Sequence, residues 1–282
     1  MIAAATGRGL REALDPPRRQ GRRIGLVPTM GYLHEGHLSL VDLARKEADL
    51  VAVSIFVNPL QFGPGEDLAR YPRDLDRDLS LLRERGADLV FHPGVQEMYP
   101  HGFPEVTVDP GALGQRLCGR FRLGHFRGVL TVVARLFGLF RPHMAVFGRK
   151  DYQQGALIRR MVGDLEMGVD VRLGPVVREG DGLAMSSRNV FLSPEERSQA
   201  LGLHRSLSRV QASFREGERW LHRLQELLAR ELEEYPLLKL QYGEIVDAES
   251  LEPVDPVRPG AVVAVAAHCG GTRLIDNLVL EG

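Results

Sequence analysis

Cysteine is nearly absent: only Cys118 and Cys269 occur in 282 residues, far apart, with no CxxC and no Cys/His cluster beside either. That excludes a disulfide framework and a thiolate zinc site, and it leads us to expect a reduced, cytoplasmic setting. No apolar run approaches the roughly 20 residues that a membrane span needs. The first 23 residues hold no apolar stretch after their basic ones, so no secretory address is read there. Charge of one sign is not in excess either, with 36 Lys+Arg against 37 Asp+Glu and a net charge of −1, which argues against a coat for nucleic acid. Lysine is scarce, because Lys46, Lys150 and Lys239 are the only ones and every other basic residue is arginine. A compact ammonium and a guanidinium fork do different work, so each lysine marks a place where that difference can matter. There is no GxxxxGK[ST]; the early Gly7-Arg8-Gly9 is read as following no strand and lacks a third glycine. There is no GxSxG and no cysteine beside a histidine, so a covalent acyl-enzyme has no obvious nucleophile.

What is present is an ordinary globular composition, 44% hydrophobic and 26% charged, long enough for one large domain or two unequal ones. Apolar runs at 24–28, 50–57, 87–91, 144–147 and 169–177 alternate with helical periodicity at 38–48, 73–85, 126–140 and 151–163. This pattern predicts an α/β fold with a parallel sheet covered on both faces and ligands outside the carboxyl ends of its strands. Past about residue 176 the character changes to a polar Gly-rich loop, two Arg/Glu-rich amphipathic helices near 194–215 and 218–234, and short runs near 240–246, 261–267 and 273–280. A division into 1–176 and a smaller α+β domain with an antiparallel sheet, 177–282, is expected. The dense Glu/Arg faces of the two helices are read as solvated.

Chemistry-bearing residues gather where strands end. Pro28 through His37 (PTMGYLHEGH) joins the first strand to the first helix, where free N–H groups and the helix dipole favour an anion, and His34 and His37 add donors there. Exposed loop histidines and a metal pair are the competing readings, the latter weakened because HExxH needs a spacing of four and here it is three. After the second strand, Asn58 and Gln61 place neutral amides that can orient a carboxylate or hydroxyl. After 144–147 comes Gly148-Arg149-Lys150-Asp151-Tyr152-Gln153-Gln154, one of the three lysines at a helix start. An Asn-Pro turn and an Asp151 cap are the bland alternatives for these two loops. Met185-Ser186-Ser187-Arg188 could close hydroxyls and a guanidinium over phosphates.

His34-Glu35-Gly36-His37 resembles the HxGH signature of nucleotidyltransferases related to class I aminoacyl-tRNA synthetases, and Met185–Arg188 resembles their KMSKS-type counterpart. Taken together, PTMGYLHEGH, SIFVNPLQF, HFRGVLTVV, FGRKDYQQ, DGLAMSSRN and TRLIDN resemble the pantothenate synthetase (pantoate–β-alanine ligase) family over most of residues 24–280. The resemblance implies a Rossmann-like first domain, a smaller lid and a homodimer. The reaction it implies is a magnesium-dependent step of pantothenate and coenzyme A biosynthesis. ATP and (R)-pantoate would form a noncovalent pantoyl adenylate, and β-alanine would then displace AMP. It places Met30, His34 and His37 against ATP, with His37 a proton donor or electrostatic stabiliser. Lys150, Ser186, Ser187 and Arg188 would act on the phosphates, with Gly148, Arg149, Asp151, Val177 and Met185 along the nucleotide. Asn58, Gln61 and Gln154 would hold pantoate or β-alanine, and Asp78 would be the outer magnesium contact. Two positions depart from the family pattern. Arg77 stands where an acidic or polar residue is usual, and Arg149 replaces the acid of Gly-Glu-Lys-Asp. Arg149 is expected either to turn to an acidic partner or to add charge near the diphosphate. Two rivals remain: a transferase acting on a phosphorylated acceptor, disfavoured by neutral amides where cations would be wanted, and a nucleotide-binding regulator without catalysis.

Overall fold

Leu50–Ile55 reads LVAVSI, and the computed structural model, which describes residues 1–282, buries it on both faces as a central strand. Six strands form one parallel sheet: β1 (Ile2–Ala4), β2 (Ile24–Thr29), β3 (Leu50–Ile55), β4 (Leu89–Phe91), β5 (Met144–Gly148) and β6 (Asp170–Gly174). Their spatial order is β1-β4-β3-β2-β5-β6. The helices in chain order are α1 (Gly7–Arg19), α2 (Glu35–Arg45), α3 (Leu75–Glu84), the short α4 (Val95–Met98) and α5 (Cys118–Phe121), then α6 (His125–Phe140), α7 (Tyr152–Asp164), α8 (Pro194–Arg215) and α9 (Leu221–Glu233). Successive side chains of β2 feed opposite layers. Leu26 packs with Leu10 and Leu14 of α1, Val129 and Phe137 of α6 and Ile158 of α7, while Val27 packs with Leu38 and Val41 of α2 and Leu82 of α3. Continuous burial on both faces is why these strands read as unbroken apolar runs. β2 lies between β3 and β5, so the chain reverses its direction of travel across the sheet there, and a crevice opens at the carboxyl ends of those strands.

The amino-terminal segment corrects one expectation. Gly7-Arg8-Gly9 does follow a strand, because β1 pairs in parallel with β4 at the sheet edge. Three residues are too few to show a period. The helix end behind β1 is not open to a phosphate, since Glu97 accepts the Gly7 N–H at 2.7 Å.

Strands β7 (Leu238–Val246), β8 (Val262–Cys269) and β9 (Thr272–Val279) form the expected antiparallel sheet. α8 opens with a reciprocal Ser193/Glu196 capping box and Pro194 in its first turn. α9 begins at Leu221, three residues later than the periodicity suggested, because Glu218 turns back to accept the N–H groups of Arg219 and Trp220. Leu203, Leu207 and Phe214 of α8 and Leu224 and Leu228 of α9 pack on Val263, Val265 and Ala267 of β8. The other face of β8, through Val262, Ala264 and Ala266, joins the core beneath the parallel sheet.

Candidate active site

A cleft of about 200 Å³ opens at the β2/β5 crevice. Every loop singled out in the sequence reaches it: Met30, His34 and His37 after β2, Asn58 and Gln61 after β3, Gly148, Lys150, Asp151 and Gln154 after β5, and Val177 with Met185–Arg188 from the connection to α8. A second cavity of about 240 Å³ adjoins it and shares Arg122, Lys150, Asp151, Ser186 and Arg188. Lys46 and Lys239 are exposed elsewhere, so Lys150 is the only lysine of the cleft.

His34 is the N-cap of α2, its Nδ1 accepting the Gly36 N–H at 3.1 Å, and His37 Nδ1 accepts the His34 N–H at 3.4 Å. The rings lie 4.0 Å apart, centroid to centroid. Burial, and then the charge of Lys150, holds His34 down to about 4. Burial, His34 and Lys150 push His37 well below its ordinary value. Both rings are therefore neutral at pH 7. With each Nδ1 accepting, each proton sits on Nε2, so the pair offers two neutral N–H donors rather than an acid.

The amides divide into two kinds. Asn58 is fully engaged within the protein: its Oδ1 accepts from Leu60 N–H and Tyr99 OH, and its Nδ2 donates to Gln61 Oε1 and the Gly128 carbonyl. It caps the 3₁₀ turn 59–61, as the turn reading has it, and meets the Gln61 side chain at Oε1. Gln61 Nε2 has only the weak acceptor Met30 Sδ at 3.2 Å, and Gln154 has no side-chain partner while facing the cleft. These two donors are free for a ligand oxygen.

Lys150 makes no ion pair, and Asn277 Nδ2 fixes its backbone by donating to the carbonyls of Arg149 and Lys150 at 3.0 and 2.8 Å. Asp151 stands at the N-cap of α7 yet makes no side-chain capping bond, which sets aside its reading as a simple cap. Ser187 Oγ donates to the Tyr32 carbonyl at 3.1 Å, tying the polar loop to the first one, and Ser186 Oγ accepts the Arg188 N–H. Arg188 is held bidentately by Asp67 at 2.6 and 3.0 Å and lies over the Tyr71 ring. The Val177 carbonyl accepts the Met185 N–H at 3.0 Å.

Two expectations fail. Arg149 has no acidic partner and lines neither the cleft nor the adjoining cavity, so neither proposed offset is realised. Asp78 is not placed to meet a metal. It is buried outside the cleft, its two oxygens accepting the Tyr32 and Leu33 N–H groups at 2.7 Å each. Arg77 completes the clasp by donating to the Leu33 carbonyl at 2.9 Å. Together they hold Tyr32 at φ 50°, beside a Gly31 at φ 81° whose Cβ would come within 2.9 Å of Ile55. No group of three His, Cys, Asp or Glu could hold a metal ion. Glu66 and Asp67 are paired with arginines, and Asp151 alone offers an unpaired carboxylate, so these residues do not fit a protein-held magnesium.

The sequence reading assigned no role to Arg122, His125 and Tyr71, which also line the cleft. Arg122 is gripped by Glu66 at 2.7 and 2.5 Å and donates to His125. HFRGVLTVV was a visible signal for His125. Arg122 lay between elements, and only the fold brings it round.

A family model described as Pantoate-beta-alanine ligase matches residues 3–279. A pantothenate synthetase of Thermotoga petrophila is 55% identical over 263 residues, covering 93% of this chain and 94% of the relative. One of Thermoanaerobacter pseudethanolicus is 52% identical over 279 residues, covering 99% and 98%. Among solved structures, the pantothenate synthetase from Thermus thermophilus superposes with a TM-score of 0.95 at 49% identity and covers 100% of both chains. The pantoate-beta-alanine ligase from Francisella tularensis, in complex with beta-gamma ATP and beta-alanine, gives 0.81 at 32%, covering 100% of this chain and 98% of the other. Sequence, fold and cleft agree that this chain belongs to the pantoate-beta-alanine ligase family.

Proposed function

We propose that this chain condenses (R)-pantoate with β-alanine, using ATP and releasing AMP and diphosphate, as a step of pantothenate and coenzyme A synthesis. The observation that carries the reading is the division of one cleft into two chemistries. His34 and His37 Nε2–H groups and the Lys150 ammonium form a charge-stabilising edge, and the free amides of Gln61 and Gln154 form an uncharged one. Neutral donors hold a carboxylate in place without the ion pair that would blunt its attack.

A pantoate carboxylate oxygen attacks the α-phosphorus, and the bond to the β-phosphate oxygen breaks with its electron pair on diphosphate. Lys150 and the two imidazole N–H groups meet the charge that develops there. The neutral β-alanine amine then attacks the acyl carbon, the phosphate oxygen of AMP leaves with its electron pair, and the amine proton passes to solvent. Neither cysteine lines the cleft, so the adenylate stays noncovalent. ATP would be taken up as its magnesium salt, and Asp151 is the one unpaired carboxylate of the cleft. Arg188 reaches phosphate by exchanging Asp67 for it. A cytoplasmic homodimer, and a division of labour between 1–176 as nucleotide and pantoate part and 177–282 as cover, belong to the same reading.

A phosphorylated acceptor fits poorly, because the only guanidinium near Gln61 is Arg122, already neutralised by Glu66. The test is AMP formation dependent on both pantoate and β-alanine, together with exchange of labelled diphosphate into ATP in the presence of pantoate alone. Exchange that requires β-alanine would refute the two-step order, and no turnover at all would leave a nucleotide-binding regulator.

A further inference from the structure

His125 opens α6 beside the cleft, and the mechanism above does not use it. Its Nδ1 lies 2.7 Å from the main-chain carbonyl of Gln61, and its Nε2 lies 2.9 Å from Arg122 Nη1. A guanidinium only donates, so Nε2 must accept and Nδ1 must carry the proton that goes to Gln61. Arg122 is fixed in turn by both oxygens of Glu66, and its other terminal nitrogen reaches the same Gln61 carbonyl at 3.3 Å. The result is a directed chain, Glu66 to Arg122 to His125 to Gln61, ending on the residue whose side-chain donor is free in the cleft.

We infer that His125 is a positioning residue for the pantoate-binding amide, anchoring the backbone of Gln61 so that its Nε2–H points at the pantoate oxygen; this rests on the reading of the cleft given above. The turn 59–61 is short, and the Gln61 side chain is held firmly only at Oε1, by Asn58, with the weak acceptor Met30 Sδ at its Nε2. Its direction therefore depends on the main chain beneath it. Burial, followed by the charge of Arg122, keeps His125 down to about 3, so the ring remains the neutral tautomer this geometry needs. Close approach of α6 serves the same end. At Gly128, one turn along, a Cβ would sit 2.3 Å from the Leu60 carbonyl oxygen.

The test is a double-mutant cycle read by ATP–diphosphate exchange with pantoate as the varied substrate. His125→Ala should raise the pantoate KM about tenfold, the scale of one lost hydrogen bond, and leave the ATP KM unchanged. His125→Asn, which keeps a donor near the Nδ1 position, should recover most of that loss. In a Gln61→Ala background, His125→Ala should add less than about twofold, because its effect passes through Gln61. A full, additive loss in that background would show that His125 touches substrate itself and overturns the positioning role. An equal rise in the ATP KM overturns it too. If His125→Ala does not fold, His125→Gln takes its place, since its longer side chain misses the Gln61 carbonyl, with the same expected rise and the same overturning outcomes. Absence of exchange in the unmodified protein would sink the substrate reading and the positioning role with it, whereas normal exchange with an additive cycle sinks the positioning role alone.

Discussion

Three nitrogen donors line the cleft: the two Nε2–H groups, whose rings are held through Nδ1, and the Lys150 ammonium, whose backbone carbonyl Asn277 holds. His37→Ala and Lys150→Ala should each slow adenylation about a hundredfold or more, the usual scale for losing one such donor, with melting temperatures near that of the unmodified protein. A collapse in melting temperature would make either residue structural instead. Asp78 behaves in the opposite way. Asp78→Ala leaves two backbone N–H groups without a partner and should cost about 2 kcal/mol or more of stability. Its magnesium midpoint for ATP binding should not move, and a shifted midpoint would restore the metal role. Residue types were legible in the sequence because loops at strand ends gather at one edge of a parallel sheet, so His34, His37, Gln61 and Lys150 could be singled out as candidates from position and chemistry, while Gln154 entered with the family resemblance. What a one-dimensional pattern omits is where lone pairs are already occupied. Asp78 reads in sequence as a carboxylate in the first turn of a helix, and only the folded loop shows both its oxygens engaged.

Elements were read well where burial makes the signal long. β2, β3 and β5 are buried on both faces and appear as unbroken apolar runs, while α6 and α8 each carry several turns of one apolar face. β1 was missed because a three-residue edge strand has neither length nor alternation. Arg122, lying in the connection between the four-residue α5 and the long α6, gave no period at all. The contact of α6 with the turn 59–61 is the element-scale feature most exposed to test. Gly128→Ala pushes a methyl into the Leu60 carbonyl, backbone against backbone, so the turn must shift. An overpacking loss of about 1 to 3 kcal/mol should follow, measured by urea unfolding, together with a higher pantoate KM. Unchanged kinetics in a folded Gly128→Ala protein would show that the turn can move without disturbing Gln61.

For the molecule as a whole, the buried imidazoles set the response to acid. His34 and His125 titrate near 4 and 3 in the fold against an ordinary 6.5, and His37 also lies well below its ordinary value. Below 6.5 the unfolded chain therefore binds protons that the folded one refuses, and His204, also held below its ordinary value, adds to them, so stability falls as pH drops from about 6.5 toward 4 with proton uptake on unfolding. Glu66 and Asp67, which burial would raise but their arginine partners hold below the ordinary carboxylate value, remove further stability only as pH falls through their own lowered values. Urea unfolding across this range checks the slope, and a stability that is flat from about pH 7 to 5 would mean the imidazoles are charged in the fold. The two-sheet architecture was legible as a change of character near residue 176, but the sharing of β8 between two cores was not, because its run of small apolar residues is uniform in composition. Val262, Ala264 and Ala266 face one core while Val263, Val265 and Ala267 face the other, so the strand is a party wall. Neither side can be furnished alone. A chimaera that exchanges everything after residue 176 for the corresponding stretch of a relative must match alternate positions of that wall to the host's helices, and a graft that satisfies only the linker should leave one room unsealed.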